Sequence, residues 1–164
     1  MISFANFLTG SWRHRAAAAG LIRRLQTTVE HMRVTNATVT TDMVRGEVVC
    51  LTTGVRQALL AQANKLATSE WVGVVCEPIA ADETGIVRIN GKAWVLFEAA
   101  LDPAPVAGDP VYLSKATAGR LTNVYPLAPG FGIQVGIIVD ASPYATDGAC
   151  WVQLQRCCAP VPQQ

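Results

Sequence analysis

The pattern of apolar and polar positions changes character near residue 35. Over residues 12–34, Ala, Leu, Arg and Gln dominate and Pro is absent, which predicts a helix with Ser11 available as its N-cap. Leu21, Leu25, Thr28 or Val29, and Met32 fall on one face of that helix, with Arg23 and Arg24 beside it, so the segment is amphipathic. Residues 1–10 mix Phe4, Phe7 and Leu8 with small polar residues and read as an end that orders on contact with a partner. Beyond residue 35, short runs of Val, Ile, Thr and aromatics are cut by Gly, Pro, Asn and Asp, the texture of an all-β barrel or sandwich.

The clearest local signal is Asn90-Gly91 between Ile86-Val-Arg-Ile89 and Lys92-Ala-Trp-Val-Leu-Phe97. Asn-Gly suits both positive-φ positions of a type I′ turn, which predicts an antiparallel hairpin here. Further strands are expected over 44–51, 56–60, 71–77, 110–113, 120–122, 134–139 and 150–155. The stretch 57–68 is open between strand and short helix, because Ala, Leu, Gln and Lys dominate it.

An internal repeat organises this region. Val44-Arg-Gly-Glu-Val-Val-Cys-Leu51 matches Val106-Ala-Gly-Asp-Pro-Val-Tyr-Leu113, and Val72-Gly-Val-Val-Cys-Glu77 matches Val135-Gly-Ile-Ile-Val-Asp140. The spacing between Gly46 and Gly73 differs by one residue from that between Gly108 and Gly136. Gly46 and Gly108 precede extended runs, where a positive-φ turn delivers the chain into a strand. Gly73 and Gly136 lie inside strands, where glycine marks a bulge or a barrel corner. The expected organisation is a basic arm over 1–41, a β domain over 42–156 and a tail over 157–164. Within the β domain, halves 42–98 and 104–156 flank the Asp102-Pro-Ala-Pro105 link. Each half alone has too few strands to cover its edges, so the two are expected to combine into one pseudo-two-fold barrel or sandwich.

The 164 residues suit one ordinary domain. Half of them are hydrophobic and 15% are charged, enough apolar surface for a core. No run approaches the roughly 18 uncharged apolar residues of a membrane span. The net charge of +1 hides an asymmetry. Residues 1–33 hold Arg13, Arg15, Arg23, Arg24 and Arg33 against Glu30, whereas the remainder has eight basic and eleven acidic residues. Such an arm suits docking on an acidic protein surface first, a solvated helix second and nucleic acid third; its Arg- and Ala-rich composition also mimics an organelle presequence.

Candidate chemistry is sparse. His14 and His31 both fall in the arm, which leaves the β region without an imidazole for general-base work or zinc. Asp82-Glu83 lacks the alternating oxygen ligands of a calcium loop, and no phosphate-binding glycine signature occurs. The odd number of cysteines (Cys50, Cys76, Cys150, Cys157, Cys158) contains no CxxC pair and reads as free thiols of a protein made in a reducing cytoplasm. Trp71, Trp94 and Trp151 fall in expected strands, where a core or interface role outweighs ligand stacking. No cofactor or metal is expected.

Gly108-Asp-Pro-Val-Tyr-Leu-Ser114, Ala118-Gly-Arg-Leu-Thr122, the prolines at 126 and 129, and Val135-Gly-Ile-Ile-Val139 together resemble the capsid decoration, or cement, proteins of tailed bacteriophages and the related head-fibre and tail-fibre modules. The resemblance covers about residues 42–156 and brings no catalytic residues. It implies a β-tulip-like module, frequently trimeric, on the outer capsid surface, bridging major capsid subunits; the alternative it implies is a head-fibre, tail-fibre or adhesin module in host attachment. In this reading the protein is not an enzyme and contacts neither membrane nor nucleic acid. The arm anchors it to capsid or to a neighbouring copy through Phe4, Phe7, Trp12, Arg13, Arg15, Arg23 and Arg24.

Overall fold

The computed structural model describes residues 30–64, 66–127, 131–155 and 161–162. The chain divides into two units, Met1–Glu30 and His31–Gln164. Every described residue except Glu30 belongs to the second. The helix expected over 12–34 lies outside the described residues as far as position 29, and its last turn is not helical: His31–Asn36 forms strand β1. Val34 and Asn36 are buried while His31 and Arg33 are exposed, a period of two that belongs to a strand. Antiparallel pairing to the Thr84–Arg88 strand, from His31↔Arg88 to Thr35↔Thr84, overrides the weak helical preference of this segment.

The molecule is all-β in character. Strands β2 (Val48–Leu51), β3 (Gln57–Leu60), β4 (Trp71–Val75) and β5 (Thr84–Arg88) join β1 in a closed barrel of order β1-β3-β2-β4-β5. The ambiguity over 57–68 resolves into both alternatives: β3 comes first, and a single helical turn, α1 (Leu66–Ser69), follows. A second sheet has the order β6-β11-β10-β7-β8, formed by β6 (Gly91–Leu96), β7 (Pro110–Leu113), β8 (Leu121–Thr122), β10 (Gln134–Asp140) and β11 (Ala149–Leu154). β9 (Phe131–Gly132) pairs with β12 (Val161–Pro162), which lies in the expected tail. A second helical turn, α2 (Tyr144–Asp147), precedes β11.

The expected hairpin does not form. β5 pairs with β1 and β4, and β6 pairs with β11, so Asn90-Gly91 carries the chain from one sheet to the other. Gly91 takes a φ of +83°, but Asn90 is not among the positive-φ residues, so a type I′ turn is absent. The cause lies in the cores. Val87 packs with the first barrel, whereas Ala93 and Val95 pack with the second sheet, and the turn residues cannot register that difference. The strands therefore group as 31–88 and 91–154 rather than as 42–98 and 104–156.

The repeated glycines take the roles expected of them. Gly46 and Gly108 have φ of +87° and +96°. Their N–H groups donate to Val75 O at 2.9 Å and Ile138 O at 2.8 Å, and the Val75 and Ile138 N–H groups return to Glu47 O and Asp109 O at 2.9 Å each. Inside β4, Val49 pairs with Gly73 and Cys50 with Trp71, leaving Val72 as the bulged residue. Inside β10, Val111 pairs with Gly136 and Tyr112 with Gln134, leaving Val135 in the same role. A Cβ on Gly73 would stand 2.8 Å from Arg88 O, and one on Gly136 would stand 2.2 Å from Gln153 O. Bare backbone is required at both positions.

Val34, Met43, Val49, Ala58, Val72, Val75, Ile79 and Val87 fill the first barrel. A larger cluster runs through the second sheet and takes in Val48, Cys50, Trp71 and Val74 from the first. Alternation along β2 explains the sharing, since Val49 faces the barrel while Val48 and Cys50 face the neighbouring sheet.

Candidate functional site

The interface residues expected in the arm (Phe4, Phe7, Trp12, Arg13, Arg15, Arg23 and Arg24) lie outside the described residues, as does His14. His31 lies in β1 of the barrel rather than in an arm. Its Nε2 accepts a hydrogen bond from Arg88 Nε–H at 3.3 Å.

The motif residues of the second sheet are committed to its scaffold. The Asp109 carboxylate accepts the Val106 N–H at 3.0 Å, as the Glu47 carboxylate accepts the Val44 N–H at 2.9 Å. Ser114 is fully buried; its Oγ accepts the N–H groups of Ala116 at 3.0 Å and Thr117 at 2.8 Å and donates to Glu98 Oε1. Burial pushes the Glu47 carboxyl above its ordinary range, against the Val44 N–H and the Arg120 guanidinium 3.9 Å away. Asp109 and Glu47 close turns by accepting backbone N–H groups, and Glu98 holds the Ser114 hydroxyl.

The residues with freedom to meet a partner lie elsewhere. Trp94 on β6 and Trp151 on β11 stand directly opposite each other across the antiparallel pair, both half-buried. The Arg45 guanidinium carbon lies 5.1 Å from the Trp94 ring centre, and Lys92 Nζ lies 5.0 Å from that of Trp151. Arg88 donates to the Lys92 carbonyl from its terminal nitrogen. These side chains, with Val74, Val75, Cys76 and Ala93, line a groove of about 160 Å³ between the two sheets. Among the described residues the one ion pair is Arg120–Glu47, so no carboxylate stands within ion-pair distance of Arg45, Arg88 or Lys92. Burial raises the Cys76 thiol, with Arg88 acting against it.

The sequence concentrates its positive charge in residues 1–33 and gives little sign of this groove, because Arg45 and Arg88 are remote in the chain. One signal was visible: Lys92 and Trp94 are two apart in a strand and therefore share a face. Of the three tryptophans assigned to strands, Trp71 is buried in the core, whereas Trp94 and Trp151 line the groove.

A second surface is apolar. Val124, Tyr125 and Leu127 are 46%, 43% and 71% exposed in the loop after β8. Together with Pro126, Thr122, Glu98, Lys115 and Ala116 they border a hollow of about 230 Å³. Tyr125 stands edge-on to Tyr112, ring centres 5.1 Å apart, and Lys115 Nζ donates to Leu127 O at 3.0 Å. These contacts hold the loop in place while its apolar side chains face outward.

Among the described residues no three His, Cys, Asp or Glu side chains gather closely enough to hold a metal ion. Cys50 and Cys150 are buried free thiols, and burial pushes Cys150 up to about 11. No helix of the described residues is long and apolar enough to cross a membrane. No protein-family model matches the chain, and a search of curated proteins finds no relative.

Proposed function

We propose that this chain is a non-enzymatic bacteriophage virion protein, a capsid decoration or cement protein that binds the outer capsid surface and bridges major capsid subunits. The observation that carries this reading is the exposed apolar loop Val124, Tyr125 and Leu127, held on the β scaffold directly after the strands whose sequence resembles such proteins. A subunit whose product is buried contact area needs apolar surface held in a fixed shape. The motif acids and Ser114, spent on backbone, fit that reading as scaffold rather than chemistry.

In this proposal the strand sets 31–88 and 91–154 are two copies of one unit in a pseudo-two-fold, β-tulip-like arrangement. The matched bulges at Val72 and Val135 and the matched turn hydrogen bonds support it. The protein is made in the bacterial cytoplasm and assembles as a trimer on the shell, and many copies on a lattice allow each contact to be modest. Its partner is the major capsid protein, rather than a membrane or nucleic acid, and the arm adds an anchor.

The test is low-dose imaging of purified particles that carry the chain, with its copies counted. Density on the outer shell in fixed ratio to the major capsid protein is expected, and Leu127→Asp should lower the occupancy. Absence from the shell would overturn the proposal, and copies confined to the tail would move it to the fibre class.

A further inference from the structure

We propose that the groove between the two sheets is a docking site for an acidic peptide segment, a carboxylate-bearing stretch of a partner protein. This rests on the reading above only in taking that partner to be another virion subunit.

The donors decide the ligand class. Arg45, Arg88 and Lys92 supply only N–H donors, and no carboxylate or amide side chain lines the groove to accept a hydrogen bond. A neutral sugar presents hydroxyls that need acceptors as well as donors; a carboxylate needs donors alone.

The cations are also placed in advance. Arg88 is held by His31 Nε2 and by the Lys92 carbonyl, and Arg45 and Lys92 rest over Trp94 and Trp151. Little side-chain freedom remains to be lost on binding. No carboxylate of the described residues stands within ion-pair distance of the three cations; Asp140 feels Lys92 and Glu77 feels Cys76 only through space, so the direct contacts of the cations are left for a partner.

Two observations favour a peptide over a nucleic acid. Residues 34–164 carry eight basic and eleven acidic residues, so the surroundings repel a long polyanion while the groove attracts a local one. Cation–π contacts occupy the two rings that a base would use for stacking. The volume of about 160 Å³ suits an acidic side chain with its backbone. The basic residues 1–33 are of the wrong charge to fill it.

The test uses the full ¹⁵N-labelled chain and follows the indole N–H signals. A hexaglutamate peptide should move the Trp94 and Trp151 signals and leave that of buried Trp71 in place, while a hexaglutamine peptide moves none. The pair Arg45→Gln and Lys92→Gln should weaken hexaglutamate binding by about 10-fold or more. Both side chains are exposed, and an unmoved Trp71 signal verifies that the variant folds.

Unmoved Trp94 and Trp151 signals at saturating peptide would overturn the proposal. So would an unweakened double variant, which would place binding on the arginines of residues 1–33. Tighter binding of a six-nucleotide thymidine strand at these indoles would replace the peptide by nucleic acid. Failure of the groove with shell occupancy intact would remove this inference alone, and lost occupancy with groove binding intact would remove the capsid reading alone.

Discussion

The two five-strand sets run through the same order of pairings and close differently. In the first, β1 lies parallel to β3 and the ladder completes a barrel. In the second, the corresponding edges meet at one parallel bridge, Phe97↔Leu121. Asn36, paired with Ala58, stands at the first closure, and Phe97 stands at the second.

Asn36 is fully buried. Its amide donates to Thr41 O at 2.9 Å and Ile79 O at 3.1 Å, and its Oδ1 accepts from Thr38 N–H at 3.0 Å and Thr38 Oγ1 at 2.7 Å. Phe97 is 3% exposed and meets Tyr144 edge-on, ring centres 6.3 Å apart. The Tyr144 hydroxyl then accepts the Leu101 N–H at 2.9 Å and donates to Glu98 O at 3.2 Å. A loop returning over the end of each sheet needs partners for its backbone groups. One amide supplies them in the first set, and an aromatic pair tipped with a phenol supplies them in the second.

The strongest way to break this comparison is Phe97→Ala. It removes the apolar wedge where the sheet edges meet and should cost about 4 kcal/mol in denaturant unfolding. A loss near 1 kcal/mol would show that β6 and β8 do not rely on that bridge. Asn36→Ala comes next, at about 2–3 kcal/mol, because it removes at once the four hydrogen bonds that a fully buried amide makes to the returning loop. Hydrogen exchange should report the damage first at residues 37–43, and an evenly spread loss would contradict the role assigned to the amide.

The bulges sharpen the comparison further. Gly136→Ala should destabilise by about 2–3 kcal/mol and Gly73→Ala by about 1–2 kcal/mol, since the added methyl meets backbone oxygen more closely at Gly136. Thermal melts that reverse this order would mean that the second sheet yields more easily than the barrel.

The effect that is smallest at neutral pH concerns a thiol. Burial raises the Cys50 and Cys150 thiols, Cys150 from 9.0 to about 11. The unfolded thiol ionises first, so the contribution of Cys150 to stability is complete below pH 9 and is lost as pH climbs through about 11. Cys150→Ala should flatten the stability curve over that interval, and an unchanged alkaline slope would rule the thiol out as its source.

Legibility in the sequence followed the range of the interaction. The turn glycines and both bulges were readable because each requirement sits within a few residues and is stated twice along the chain. Asn90-Gly91 misled because turn chemistry reports how a chain bends and is silent on which core receives the strand that follows. β1 is hidden in the sequence because helix-favouring residues lead straight into it, and only pairing with β5 reveals the strand. The cationic groove is only faintly legible for a related reason: Lys92 and Trp94 share a strand face, but Arg45 and Arg88 join them only through the stacking of two sheets.

Composition and local pattern alone determined an all-β body, the places of its positive-φ turns, and the lack of histidine beyond position 31. These are properties of single residues and their nearest neighbours. Tertiary structure decided which strands share a sheet, which tryptophans face outward and where unpaired positive charge collects. Each of those outcomes depends on burying apolar faces against partners far away in the chain, and such long-range competition leaves no mark in a short window of residues.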